Sequence, residues 1–395
     1  MTILLLFAFG WMVAFIITRG FGYRVQNPEI GLGYALLRTS RLNAFITKVT
    51  EKGRRFWKFL FDLGIVTSIG LMVIGVLLLA ANIPAFFIRT EESPAVGVAP
   101  VIPGITVSFA SLPYFLVAIA VGAAAHELCH GIAALNEKVT LKSTGIFLFL
   151  FFFGAFVEPK EESLKSKSRR SRLRIFAAGG LANIIITYAF LLLLMIPMAF
   201  PMTFIWGFET TPSGVLITDV VEDSPADQAG IKSDWVIQKV ATPNQSSEII
   251  LVRNSEDFRS ALTDVKINES VELWFKDHGR ISLVAESLGQ DDGDDDQGYI
   301  GVRYFNFYEP ILPLPRSLPF HFYVIIVYIV LVNLMLALFN LLPIPLLDGD
   351  KIVAILLENK EERGKQLHKW IRIVAFSILA INMGLTFLTG GWVPL

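Results

Sequence analysis

Cysteine is nearly absent from this 395-residue sequence: Cys129 is the only one. An intrachain disulfide is therefore impossible, and any part of the chain outside a membrane must hold together by its own core. Charge is scarce as well, at 17%, well below what an ordinary soluble domain carries. No basic, aromatic-interleaved stretch points to nucleic acid. Histidine occurs five times. Two of the five stand four positions apart inside an otherwise apolar run.

What the sequence has in abundance is hydrocarbon. Apolar residues make up 53%, and the mean hydropathy is +0.57. Crossing a ~30 Å apolar layer takes roughly 20 such residues in a helix. Suitable runs lie near 1–19, 57–88, 113–135, 174–200, 319–342 and 370–389, so a polytopic α-helical protein of about six spans is expected. The first run lacks a basic start and a small-residue cleavage site, and reads as an anchor rather than a signal peptide.

The net charge of −1 hides a segregation. Between 201 and 310, 8 Lys and Arg face 20 Asp and Glu, a net −12 against +11 for the remainder. Basic residues gather in 19–58, 138–174 and 351–372, which the positive-inside rule assigns to the cytoplasm. Alternation of six spans then puts 201–318 and both termini outside. An acidic external segment without disulfides fits a prokaryotic cell membrane.

The chain divides into 1–56, an anchor and basic loop; 57–204, a membrane core; 205–310, an inserted domain; and 311–395, a second part of the membrane core. Within the insert, "GVLITDVVEDSPADQAGIKSDWVIQKV" (214–240) has a strand, a turn with a helix start, a break at Gly230 and a second strand. "SEDFRSAL" (255–262) has helical spacing, and "SVELWFKDHGRISLVAE" (270–286) is a hairpin turning at Asp277-His278-Gly279. "DDGDDD" (291–296) reads as a solvated loop. This order, with Gly214, Ser224-Pro225-Ala226 and Ala229-Gly230 in place, resembles a PDZ domain. Ser233-Asp234-Trp235 departs from it where Gly-Asp is usual. Asp can still enter the left-handed region. The apolar, Phe-rich segment 144–159 reads either as a re-entrant strand or hairpin entering from the cytoplasmic side, or as a surface loop. A strand edge at that depth must be covered by protein or line a cavity.

The chemistry sits in "AAAHELCHGIAAL" (123–135). His126 and His130 lie one turn apart on one helical face, close enough to ligate one zinc ion at about 2.0–2.1 Å. Glu127 projects about 100° around the helix from His126, which suits a general base better than a third ligand. Ionisable groups in an apolar helix call for a shared partner. Cys129 points away from His126 and reads as a packing residue.

A catalytic zinc takes three protein ligands. His278, His321 and His368 are poorly placed, whereas "NLLPIPLLDGD" (340–350) offers a carboxylate on the side of His130. Asp348 is favoured there and Asp350 is the competitor. Pro343 and Pro345 are expected to unwind a helix that Asp348 ends, and Gly349 to permit a tight turn. Asn340 and Asn333, buried amides on the preceding helix, either donate hydrogen bonds to a substrate or pin helices together.

HELCH on one span, Asn340-x-x-Pro343-x-Pro345-x-x-Asp348-Gly349 on a later one, and a PDZ-like insert between them together resemble the site-2 protease family of intramembrane zinc metalloproteases. The resemblance implies one Zn2+ per chain held by His126, His130 and Asp348, with Glu127 as the catalytic glutamate. It also implies that Asn340 contacts substrate or transition state. The expected substrate is a single-span membrane protein, cut inside the bilayer to release a cytoplasmic regulator, with the site toward the cytoplasmic side and the PDZ-like domain outside, where it can bind a peptide carboxy terminus. "AAGGLAN" (177–183) is similar to a family Gly-Pro-x-x-Asn stretch, although Gly180 replaces the proline, and leaves Asn183 a packing-level role. Two other classes compete: a membrane metal transporter, and a non-catalytic scaffold that works through its PDZ-like domain.

Overall fold

Backbone in hydrocarbon must satisfy its own hydrogen bonds, so apolar runs of this length become helices. The computed structural model describes residues 26–31, 34–39, 41–88, 95–149, 152–196, 207–243, 249–287 and 296–389. The expected span at 1–19 and most of the acidic tract, 291–295, lie outside these residues. Two units make up the chain, one from Met1–Leu191 with Val327–Leu395 and the other from Leu192–Ile326. Among the described residues, five helical stretches are long and apolar enough to cross a bilayer.

The first unit opens with β1 (Gln26–Gly31) and β2 (Tyr34–Thr39), then α1 (Arg41–Lys52), α2 (Arg54–Ala85), α3 (Leu112–Asn136), β3 (Leu141–Phe149), β4 (Phe152–Pro159), α4 (Glu161–Lys165) and α5 (Arg169–Met195). The four strands form one antiparallel sheet in the order β1-β2-β3-β4. Leu36 pairs with Phe147, and Thr144 with Val157. The segment at 144–159 is therefore a hairpin, although residues 150–151 at its tip lie outside the described residues. Its partner strands are a correction: the basic composition of 19–58 predicts a loop at 26–39, where the chain forms β1 and β2. The strands there are short and lack clean alternation, so only the pairing with β3 reveals them.

α3 buries Leu112, Phe115, Ala118, Gly122 and His126 along one stripe. Gly131, on the same helix, brings Ile46 of α1 and Val157 of β4 so near that a Cβ would meet them at 3.1 and 3.3 Å. β4 thus lies against α3, with its far edge unpaired by any strand among the described residues.

The second unit contains β5 (Phe208–Val220), α6 (Pro225–Gln228), β6 (Val236–Ala241), β7 (Ile250–Leu251), α7 (Ser255–Leu262), β8 (Ser270–Phe275), β9 (Gly279–Val284) and β10 (Val302–Pro310). Its sheet runs β10-β5-β6-β8-β9, with β7 paired to β6. Asn254 caps α7, its Oδ1 accepting the Asp257 N–H at 2.9 Å, and Phe258 of α7 is fully buried among Ile237, Val271 and Leu273. Asp234 takes the positive φ of 66° that its turn requires.

The chain then continues through α8 (Leu318–Asn340), α9 (Asp348–Leu357) and α10 (Glu361–Thr389). Pro343 and Pro345 do break the helix, but the break spans all of 341–347. Asp348 consequently opens α9 and does not end the preceding helix, a second correction. Gly349 is inside α9 and makes no turn: a Cβ there would strike the Leu341 carbonyl, so the residue permits the new helix to pack on the chain just before it. The sharp bend falls at Leu346, with φ of +80°.

Candidate active site

One buried arginine sets the frame. Arg174 of α5 forms two hydrogen bonds of 2.8 Å to Asp62 of α2 and one of 2.9 Å to Glu137 just after α3. Such forked pairing fixes direction as well as distance. It aligns α5 against α3 so that Ile175, Gly179 and Asn183, spaced by one turn each, run past His130 and His126.

Each member of that stripe touches the histidine pair. The Ile175 carbonyl oxygen lies 2.7 Å from His130 Nδ1. Because a carbonyl only accepts, Nδ1 is the donor and Nε2 is turned the other way. Gly179 lies where both rings converge: a Cβ would fall on Nε2 of His126 and of His130. Asn183, fully buried, places its amide Nδ2 3.2 Å from His126 Nδ1.

Opposite the stripe, Asp348 completes the cluster. Its Oδ2 is 3.1 Å from His126 Nε2 and 2.9 Å from His130 Nε2, and the two Nε2 atoms are 3.1 Å apart. Lys351, one turn along α9, donates to the other carboxylate oxygen at 3.2 Å. Asp350 faces elsewhere, held by Arg372 and by His368 at 2.6 Å. The carboxylate brought to the imidazoles is thus that of Asp348.

The donor set suits zinc. Two imidazoles and a carboxylate offer ligand atoms all within 4.8 Å of one another, the chemistry of three-ligand catalytic sites. The lack of a side chain at Gly179 is what lets both imidazoles reach this point.

Glu127 is half-buried, and its Oε2 accepts the Val157 N–H of β4 at 3.0 Å. The carboxylate thereby joins the histidine helix to the open edge of the sheet. Asn340 ends α8 half-buried and makes no hydrogen bond to the three clustered side chains. Asn333 is fully buried, donates to Ile329 of its own helix at 2.8 Å and turns its Oδ1 toward Gly122. Cys129 packs with Ile132, Ile175 and Leu181.

The sequence model of Peptidase family M50 matches residues 114–381, which contain His126, Glu127, His130, Asn183 and Asp348. The chain belongs to that family, the site-2 proteases. An uncharacterized protein of Methanocaldococcus jannaschii is 28% identical over 300 residues, 75% of this chain and 69% of the relative. A membrane-bound transcription factor site-2 protease homolog of Arabidopsis thaliana is 29% identical over 164 residues, 40% of this chain and 30% of its own length. Membership in family M50 places the chain among membrane metalloproteases.

Sequence reasoning missed Ile175, Gly179 and Lys351 and gave Asn183 only a packing role. A signal for three of the four was present. Positions 175, 179 and 183 repeat at the same four-residue interval as the two histidines, which marks a facing stripe once the helices are known to be neighbours.

Proposed function

We propose that this protein is a zinc-dependent endopeptidase that cuts a transmembrane segment of a single-span membrane protein inside the bilayer and releases a cytoplasmic regulator. The observation that carries the reading is the convergence of His126, His130 and Asp348, from helices more than 200 residues apart in sequence, with Oδ2 within 3.1 Å of both imidazoles. Those three residues would hold the ion. When bound, zinc supplies a Lewis acid for the scissile carbonyl and acidifies water.

Glu127 takes the proton from the attacking water and returns it to the leaving amine. The edge of β4 that no strand among the described residues pairs accepts an unwound substrate as an added strand, and Val157, whose N–H Glu127 holds, marks where a peptide bond comes alongside that carboxylate. A helix must be opened in this way before its carbonyls become reactive. Asn340, half-buried at the end of α8, serves substrate binding. The charge segregation supports a site on the cytoplasmic side and an inserted PDZ-like domain outside, where it receives peptide carboxy termini.

Cleavage of a co-expressed single-span substrate by the purified chain in detergent tests this. Glu127→Gln is expected to abolish product formation while zinc binding persists. Undiminished cleavage by that variant refutes the assignment. Zinc transport is the weaker reading, because the polar cluster is confined to one point on α3 and forms no relay along it. Proteoliposome uptake of zinc that depends on His126 would favour it.

A further inference from the structure

The two imidazoles are held by unlike partners, and only one partner is unambiguous. Ile175 offers His130 a carbonyl, which can only accept, so the proton on that ring belongs to Nδ1. Asn183 offers His126 a carboxamide, with a donor at one end and an acceptor at the other. A half-turn about its last bond exchanges them.

The two orientations select opposite tautomers of His126. With Nδ2 toward Nδ1, at 3.2 Å, the ring accepts at Nδ1 and its proton lies on Nε2, where it can be donated to Asp348 Oδ2 at 3.1 Å. With Oδ1 toward Nδ1, the ring donates from Nδ1 and Nε2 presents a lone pair. A metal ligated through Nε2 requires the second arrangement. Nδ2 facing a protonated Nδ1 would set donor against donor.

We infer that Asn183 is a positioning residue for the metal: its carboxamide oxygen accepts the Nδ1–H of His126 and so presents Nε2 to the ion. The inference rests on the zinc reading above. A second observation supports it independently of the histidine contact. Asn183 Oδ1 is fully buried without a hydrogen-bond partner, so the acceptor that the metal-ready tautomer of His126 needs is at hand and committed to nothing else. The half-turn gives that oxygen a partner, and it leaves one unpaired donor where one unpaired acceptor stood. His126 then has what His130 has already: an oxygen from the same face of α5, two turns further along. Symmetric second contacts of this kind fix both rings and raise their basicity as ligands.

The test uses full-length chain in detergent, with zinc affinity measured by competition against a chromogenic chelator. Asn183→Leu keeps the volume and removes both polar ends; it is expected to bind zinc about 10–100-fold more weakly. Asn183→Asp can only accept when ionised, and is expected to bind at least as tightly as wild type. Packing alone predicts the reverse order, with leucine harmless and the buried acid harmful. Wild-type affinity in Asn183→Leu, or equal weakening in both variants, overturns the inference.

Where Asn183→Leu yields no folded protein, zinc-loaded wild type labelled with 15N-histidine decides. Two slowly exchanging Nδ1–H signals, from His126 and His130, are expected, and a single one counts against the role. Wild type that binds no zinc at all removes the protease reading along with this one. Wild type that binds zinc while Asn183→Leu binds it equally removes only the positioning role.

Discussion

The two units bury different things. Among the described residues the membrane unit buries thirteen polar or charged side chains, including Arg174, Asn183, Asn333, Asp348, Asp350 and Asn382, whereas the inserted unit buries Ser224 and Thr242 alone. The reason lies in the solvent. A domain in water gains about 25 cal/mol per Å2 of apolar surface removed from it, so Phe258, Ile237 and Leu273 are enough to define a centre. Helices in lipid gain nothing comparable by exchanging tails for leucines, and close packing and polar contacts decide which faces meet. In the membrane unit, therefore, some of the polar residues that specify the packing, Arg174 and Asn183 among them, also frame the site.

Breaking an apolar centre should test this difference most strongly. Phe258→Ala is expected to cost the inserted unit about 3–5 kcal/mol, seen in denaturation followed through Trp235, with zinc affinity of the chain unchanged. A parallel fall in zinc affinity would show that the units are not separable in this way. Arg174→Leu should do the opposite. It leaves Glu137 without its cation and Asp62 with Arg170 alone, for a loss of about 3 kcal/mol, and because it releases the register of α5 it should weaken zinc binding too. Gly179→Ala sharpens the contrast further. Alanine favours helix by up to about 1 kcal/mol, but its methyl group would fall on Nε2 of His130 and of His126, so overpacking should cost about 1–3 kcal/mol of stability. The displaced Nε2 atoms should also lower zinc affinity roughly 100-fold, about 2.7 kcal/mol. A variant that binds zinc as wild type does would mean that the rings converge elsewhere.

Much of this was legible in sequence, and unevenly so. The HELCH helix and Asp348 announced themselves because ionisable groups are expensive in apolar surroundings. The strands and turns of the insert followed from alternation and from Asp and Gly at positive-φ positions, with Asp234 and Gly279 in the expected places. What escaped was whatever has no side-chain signal. Gly179 works by lacking a Cβ, Ile175 works through its backbone carbonyl, and β1 and β2 exist because β3 offers an edge to pair with. The helix break failed in detail for a related reason. Two prolines announce an interruption, but not that the chain runs seven irregular residues before α9 begins at Asp348.

The smallest expected effect comes from a pair that looks like the Arg174 cluster and differs only in its surroundings. Arg316 donates to Asp277 at 2.5 Å in the inserted unit, and the guanidinium holds the Asp277 carboxyl below its ordinary range. Both side chains are well exposed, 37% and 44%, so water and salt already satisfy each charge, and holding two side chains together offsets most of the attraction. The direction of the shift fixes the sign. A depressed carboxylate contributes stability above its unfolded pKa of about 4, and that contribution disappears as pH falls through the lower folded value. Arg316→Ala should therefore differ from wild type barely above scatter at neutral pH, and not at all near pH 2. A drop at neutral pH as large as that of Arg174→Leu would show that burial does not set the strength of these arginine–carboxylate contacts, and the distinction between the two units would have to rest on something other than solvent.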